Sequence, residues 1–333
     1  MSKVITYKDA GVDIAAGNST KDQIKKMVRK TYNANVLSEI GLFGGFYRFP
    51  KSKYKDPVLV SSADGVGTKL KIAVMTGQHD TVGEDLVNHC VNDILACGAK
   101  PLFFLDYLGL GKVHPDVIRN IIIGLTRGCK NNGCALIGGE TAQMPGFYAD
   151  DEYDMAGTII GAVERKNMIN GRTIRKGDIM IGLYSSGLHT NGYSLARKVL
   201  LEKYKLDQYV EELGCTVAEE LLKTHKSYLK PVSAVMDKIQ IKGISHITGG
   251  GIVENTERII PKKLKMHMDW SAWQELPVFG LIRRLGNVPH DDMVRTFNLG
   301  VGMILIVSPK DVTKTMQILK SKKEKPFVMG EIG

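Results

Sequence analysis

Ser61–Ala73, SSADGVGTKLKIA, decides how this chain is read. A short apolar run, Pro57–Ser62 (PVLVSS), reads as a strand. It leads into Asp64, the glycines Gly65 and Gly67, then Thr68 and Lys69 and a helical pattern. Three further segments follow a similar plan: ALIGGETAQMPG from Ala135, LYSSGLHTNGYSLARKVL from Leu183 and HITGGGIVENTERII from His246. Glycine turns at strand ends open backbone N–H groups, and helix N-termini add positive partial charge. Four such sites equip a chain to hold several phosphate groups at once. Strand and helix patterns are interspersed throughout, which predicts a layered α/β or α+β architecture in both halves.

At 333 residues the chain has room for two or three domains, at about 150 residues each. The polar stretch ERKNMINGRTIRKGD, Glu164 to Asp178, carries Asn-Gly and Lys-Gly turn signals. The predicted domains are therefore 1–168 and 169–333. No apolar run reaches the roughly 20 residues of a membrane span, and MSKVITYKDAG has no apolar leader core. The expectation is a cytoplasmic protein without membrane contact. Five cysteines, none in a C-x-x-C pair, speak against a disulfide framework or zinc site and read as small core hydrophobes. The net charge of +10 fits either nucleic-acid binding or steering of anionic small substrates, and charge alone does not choose. Lys and Arg are scattered, with one dense run, KSKKEK from Lys320, that reads as a solvated face.

The predicted helix from Gly83 to Cys97 carries Asp85, Asn88, His89, Asn92 and Asp93 on one stripe. Short polar side chains are poor helix formers, and a solvated face usually carries Lys, Glu, Arg or Gln. The stripe therefore reads as a face looking into a site, with Asp93 its leading candidate. In SADGVGTK the Walker spacing is absent, yet Asp64 can serve Mg²⁺ and Lys69 a phosphate. Gly138 and Gly139 suggest a close approach of the backbone to another group, with Glu140 and Thr141 following at a strand end as cofactor-binding candidates. Asp64, Asp93 and Glu140 are the candidate metal carboxylates.

Ser185, Ser186, Gly187, Thr190 and Asn191 suit an anionic group, with Thr190 or Asn191 capping the next helix and His189 as acid, base or donor. Thr248 and the glycines Gly249, Gly250 and Gly251 suggest close approach of a phosphate, against tight strand–helix packing as the plain reading. Asn298 opens FNLGVGM, whose glycines suggest a closely approached strand. No G-x-G-x-x-G sits at a strand-to-helix turn, so dinucleotide binding fits poorly.

These residues resemble one family in detail, the phosphoribosylformylglycinamidine cyclo-ligases. The resembling segments run in family order over nearly the whole chain: YKDAGVDIAAGN, PVLVSSADGVGTKLKIA, CVNDILACGAKPLFFLDYLGLGK, GGETAQMPGFY, YDMAGTIIGAVE, SSGLHTNGYSLARK, HITGGGIVEN and RTFNLGVGM. The resemblance implies an N-terminal α+β domain for ATP and dimerisation, then a C-terminal α/β sandwich for substrate. It implies a homodimer whose N-terminal sheets join into a barrel, with ATP and Mg²⁺ in the cleft. By motif, Asp64, Asp93 and Glu140 fall at the acidic positions and Lys69 at the basic one. The SSGLHTNG and Gly249–Gly251 loops fall on the substrate side. The implied reaction is ATP-dependent closure of an imidazole ring, with Lys69, Asp93 and His189 as catalytic candidates.

Ala63 stands where Gly or Thr often precedes the Asp, and the tail to Gly333 is shorter than the pattern suggests. Competing readings are a small-molecule kinase of the thiamine-monophosphate kinase type, a selenophosphate synthetase, and a basic non-catalytic binder of nucleotide or nucleic acid. The N-terminal glycine segments lack the Cys that a selenophosphate synthetase requires.

Overall fold

The computed structural model describes residues 23–333. The YKDAGVDIAAGN segment and Asp22, the first residue of a helical pattern that the sequence shows from about Asp22 to Arg29, lie outside the described residues. The first described helix, α1, covers 23–28.

The first half is a four-stranded sheet covered on one face by helices. Its strands are β1 (Pro57–Gly65), β2 (Lys100–Leu110), β3 (Ala135–Gln143) and β4 (Tyr153–Glu164), in the order β1-β4-β2-β3. Only β2 and β3 run parallel, and helix α4 (Pro115–Asn132) makes their crossover. Helix α2 (Lys69–Thr76) follows β1, and α3 (Val82–Ala96) precedes β2. Bare backbone sets the packing of α3. A side chain at Gly83 would overlap α4 backbone at Ile121 and Leu125, and one at Gly157 would overlap Phe104 of the sheet core.

The second half is built on a five-stranded antiparallel sheet ordered β8-β10-β5-β11-β9. These strands are β5 (Ile179–Tyr184), β8 (Gly243–His246), β9 (Met266–Met268), β10 (Val301–Val307) and β11 (Phe327–Ile332). The interior strand β10, between β8 and β5, is buried at all seven positions, as its continuous apolar run VGMILIV requires. Around it lie α5 (Tyr193–Leu201), α6 (Val217–Leu221), α7 (Leu229–Met236), α8 (Gly251–Glu257), α9 (Pro277–Gly286), α10 (His290–Thr296) and α11 (Val312–Ser321). A two-stranded ribbon, β6 (Tyr209–Val210) with β7 (Cys215–Thr216), precedes α6. The chain is a mixed α/β protein of two units, as its patterning predicts.

Several elements differ from expectation. β1 and β3 run through the residues read as turns, so Asp64 and Glu140 lie within strands. Gly138 and Gly139 are strand glycines, and a side chain at Gly139 would overlap Asp106 on β2. The ribbon β6–β7 and helix α10 have no counterpart in the sequence reading. Of the cysteines, Cys90, Cys129 and Cys134 are core residues, whereas Cys97 is exposed.

Candidate active site

The polar stripe of α3, buried except at the partly exposed Asp93, does two jobs. Its first set builds a seam between the two units. Asp85 Oδ1 accepts from the His225 backbone N–H at 2.6 Å, and Asn88 Nδ2 donates to the His225 carbonyl at 2.7 Å. Asn92 donates to the Lys226 carbonyl at 2.8 Å and accepts from the Tyr228 N–H at 3.0 Å. Short side chains are needed because each bonds the backbone of a chain that runs directly across the helix.

The second set, His89 and Asp93, opens toward β1 and β8. His89 Nε2 lies 3.0 Å from Asp64 Oδ2. Asp93 Oδ1 is 2.8 Å from His246 Nδ1, and Asp93 Oδ2 accepts from Ser62 Oγ at 2.9 Å. His89 Nδ1 meets Thr190 Oγ1 at 2.9 Å, and Thr190 Oγ1 lies 3.3 Å from His225 Nδ1. His225 Nε2 faces His246 Nε2 at 3.1 Å. An unbroken chain of polar contacts thus runs from Asp64 through three histidines to Asp93. Both carboxylates keep partial exposure, 46% for Asp64 and 25% for Asp93, so they are the members that can meet a ligand.

Burial works against charge on both carboxylates, but their histidine contacts outweigh it and hold both below the usual carboxylate range. Burial also opposes charge on His89, yet the Asp64 contact raises its pKa. Burial pushes His225 and His189 well below the ordinary imidazole value, so both are neutral. His246 is lowered too, by burial that the Asp93 contact only partly offsets.

Three of the four glycine segments converge here. Thr68 Oγ1 lies 3.0 Å from Ser194 Oγ, and a side chain on Gly67 would reach within 3.8 Å of the Thr190 carbonyl. Gly249 packs beside Asn191. Gly65 closes β1 with its N–H on Asp64 Oδ1 at 2.7 Å.

The fourth segment stands apart. Gly65 of β1, Ala156 of β4, Tyr107 of β2 and Glu140 of β3 lie in one rank across the sheet. Three strand spacings of about 4.8 Å separate the outer two by about 14 Å. Asp64, one residue earlier, points to the opposite face, toward α3. Glu140 therefore does not join the Asp64–Asp93 cluster within one chain, and Thr141, which alternates back to the α3 side, is kept from it by lying on the opposite edge strand from β1.

Other candidates are committed inside the protein. Lys69 is fully buried, with Nζ 2.8 Å from Asp85 Oδ2 and 2.7 Å from the Lys223 carbonyl, so it does not line the cleft. His189 is fully buried, sits at φ +61° and accepts from the Ser186 N–H at 3.2 Å. Asn298 accepts from Ser185 Oγ at 3.0 Å and Gly300 N–H at 2.8 Å, and donates to the Gly187 carbonyl at 3.0 Å. Ser186 Oγ donates to the Thr224 carbonyl at 2.6 Å. Thr190 and Asn191 do not cap α5, whose N-cap is Gly192. Gly250 and Gly251 adopt φ of +95° and +69°, and a side chain at Gly251 would overlap the Val294 carbonyl of α10. Tight packing therefore explains Gly251 without a ligand.

The sequence reading missed His225 and His246. His225 sits in no motif; its signal is the short-side-chain stripe of α3, which needs a partner chain. Asp106 was missed as well. It is an acid on the inward side of an apolar strand, beside Gly139 and Gly157, and burial pushes its pKa up to about 7.

Mg²⁺ takes oxygen ligands and often needs only one or two carboxylates besides phosphate oxygens. Two partly exposed, ionised carboxylates flanking His89 fit that need.

Residues 46–163 match the N-terminal domain of the AIR synthase related proteins and residues 175–333 match their C-terminal domain. The chain is 52% identical to the phosphoribosylformylglycinamidine cyclo-ligase of Geotalea daltonii over 335 aligned residues, covering 100% of this chain and 96% of that protein. It is 49% identical to the enzyme of that name from Thermodesulfovibrio yellowstonii, covering 98% and 96%. Its fold resembles a thiamine-monophosphate kinase from Stenotrophomonas maltophilia at TM-score 0.68 and 17% identity, covering 94% of this chain and 92% of that one. It also resembles the hydrogenase maturation protein HypE in complex with ATP at TM-score 0.69 and 15% identity, covering 97% and 88%. The chain belongs to the AIR synthase related family and, within it, to the phosphoribosylformylglycinamidine cyclo-ligases.

Proposed function

We propose that the chain closes formylglycinamidine ribonucleotide to 5-aminoimidazole ribonucleotide, consuming ATP and releasing ADP and phosphate. The observation that carries this reading is the convergence of three glycine loops on two partly exposed carboxylates, in a chain about half identical to cyclo-ligases over its full length.

The chemistry sets the demands on the site. An amide oxygen is a poor leaving group, so ATP phosphorylates it to an O-phosphorylated imidate. The ribose-bearing amidine nitrogen then attacks the activated formyl carbon and gives up its proton, the imidazole closes, and phosphate departs. The protein must hold two phosphorylated molecules in line and keep water out. Asp64 and Asp93 would hold Mg²⁺, which neutralises phosphate charge when bound. The backbone at Gly65–Thr68 would lie along the nucleotide. Thr248, Gly249 and Asn191, on the second unit, would face the substrate. Lys69, Ser185, Ser186, Gly187, His189 and Asn298 would act by shaping these loops from behind. Thr190 touches His89, which holds Asp64, and His225, which faces the His246 that holds Asp93.

We assign the homodimer contact to the open face of the first sheet. It exposes Leu59, Ala63, Ala156 and Tyr107 and bears no helix among the described residues. Glu140 and Tyr107 share this face, so Glu140 belongs to the proposed dimer side. A Leu59→Asp variant should sediment as a monomer; an unchanged dimer would move the interface elsewhere. The purine-pathway role implies a cytoplasmic enzyme, and no described helix is long and apolar enough to cross a membrane.

The test is ADP release with formylglycinamidine ribonucleotide, with and without Mg²⁺. ADP formed equally with thiamine monophosphate would favour the kinase reading.

A further inference from the structure

A cavity of about 630 Å³ opens at the seam of the two units, away from the Asp64–Asp93 cleft. One wall comes from the end of β4 and the chain up to Thr173, the other from Met236–Lys242 after α7. Its volume falls in the range of small-molecule sites, about 300–1,000 Å³.

Its charge is not balanced locally. Five lysines line it against Glu164 and Asp237. Lys242 is held by Asp178 at 2.6 Å, and Lys100 lies 3.7 Å from Asp237. Glu164 accepts from the Lys55 and Asp56 N–H groups at 2.9 and 3.0 Å. That leaves Lys53, Lys166 and Lys238 with no carboxylate partner among the described residues. Two helix C-termini end here, α3 at Cys97 and α7 at Asp237. At about half a negative charge each, they offset roughly one of those lysines. The floor is apolar, with Tyr54, Ile169 and Ile239 among its residues.

We propose that this cavity binds a small organic phosphate of nucleotide size. Its phosphate would lie on Lys53, Lys166 and Lys238, and its flat apolar part on Tyr54, Ile169 and Ile239. Such a ligand touches both units at once, so its binding energy adds to the stability of the seam. This second site is independent of the reaction assigned to the cleft.

The test is equilibrium dialysis with labelled AMP, on the wild type and on K166E/K238E, with melting curves alongside. Both lysines are exposed, so the variant should fold; K166S/K238S serves if charge reversal disturbs it. The wild type should bind AMP saturably and melt higher with it. The variant should lose at least tenfold in AMP affinity and lose the melting shift, while its KM for ATP stays within twofold. Inorganic phosphate, which leaves the apolar floor uncovered, should bind at least tenfold more weakly than AMP. Equal AMP affinity in both proteins, equal affinity for phosphate and AMP, or no saturable AMP binding to the wild type would each overturn the proposal.

Discussion

His246 Nδ1 donates to Asp93 Oδ1 at 2.8 Å, so the last residue of a strand in one unit fixes a carboxylate on a helix of the other. Asp93 is therefore aimed by the second unit, and the cleft is complete only when the seam is closed. Removing the charge by Asp93→Asn should lower turnover by about 10²–10³, the scale of one preorganised electrostatic group. Replacing the aiming group by His246→Gln should cost about 10–100-fold, as outer partners of ligating groups do. Steady-state kinetics on both variants checks this order; a His246 loss exceeding the Asp93 loss would contradict it.

Lys69 and Asp85 form an ion pair with both side chains fully buried. Burial drives both toward neutrality, and each holds the other charged. Breaking such a pair costs about 3–5 kcal/mol, whereas replacing both members by apolar groups is often near neutral. Lys69→Met should therefore destabilise strongly, and Lys69→Met/Asp85→Leu should recover much of the loss in urea melts. A Lys69→Met protein of normal stability with a raised KM for ATP would restore the direct phosphate role.

The buried histidines give a pH dependence of definite sign. His189, His225 and His246 have folded pKa values below 6.5 because of burial. Each contributes stability that is present above 6.5 and is lost as pH falls below it, where the unfolded chain takes up protons the folded chain refuses. The slope is about 1.4 kcal/mol per pH unit per histidine. His89 is raised and works the other way: its contribution is full below 6.5 and fades as pH rises through its folded value. Three against one, the melting temperature should fall between pH 7 and 5.5. A flat or rising profile would contradict the neutral assignment.

Gly251 combines φ +69° with a backbone carbonyl where a side chain would stand. Gly251→Ala should cost at least the roughly 1–3 kcal/mol of a strained backbone, read as a lower urea midpoint. Gly133, at φ +69° with open space around it, is the control and should cost less.

The outline of both units was legible because periodicity survives packing. The helical pattern read from Pro115 to Cys129 is found as Pro115–Asn132, with Pro at its start and Gly133 just past its end. The site was legible only in part. Asp64 and Asp93 were visible because a carboxylate beside glycines, or on a stripe of short polar residues, is costly without a use. Gly138 and Gly139 misled because glycine serves close approach between strands as readily as turns. What they approach, Leu105 beside Gly138 and Asp106 beside Gly139, lies on a different strand. The seam was hidden for a similar reason: the Asn88 and Asn92 side chains bond the backbone of 225–228, and backbone partners leave no mark in side-chain identity.

The most direct test of the account is ADP release by the wild type and Asp93→Asn with formylglycinamidine ribonucleotide, alongside detection of the aminoimidazole product. The account predicts ADP and product in equal amounts, strictly dependent on that substrate, and both lost together in a folded Asp93→Asn protein. Substrate-independent ADP release, or full turnover by Asp93→Asn, would contradict it.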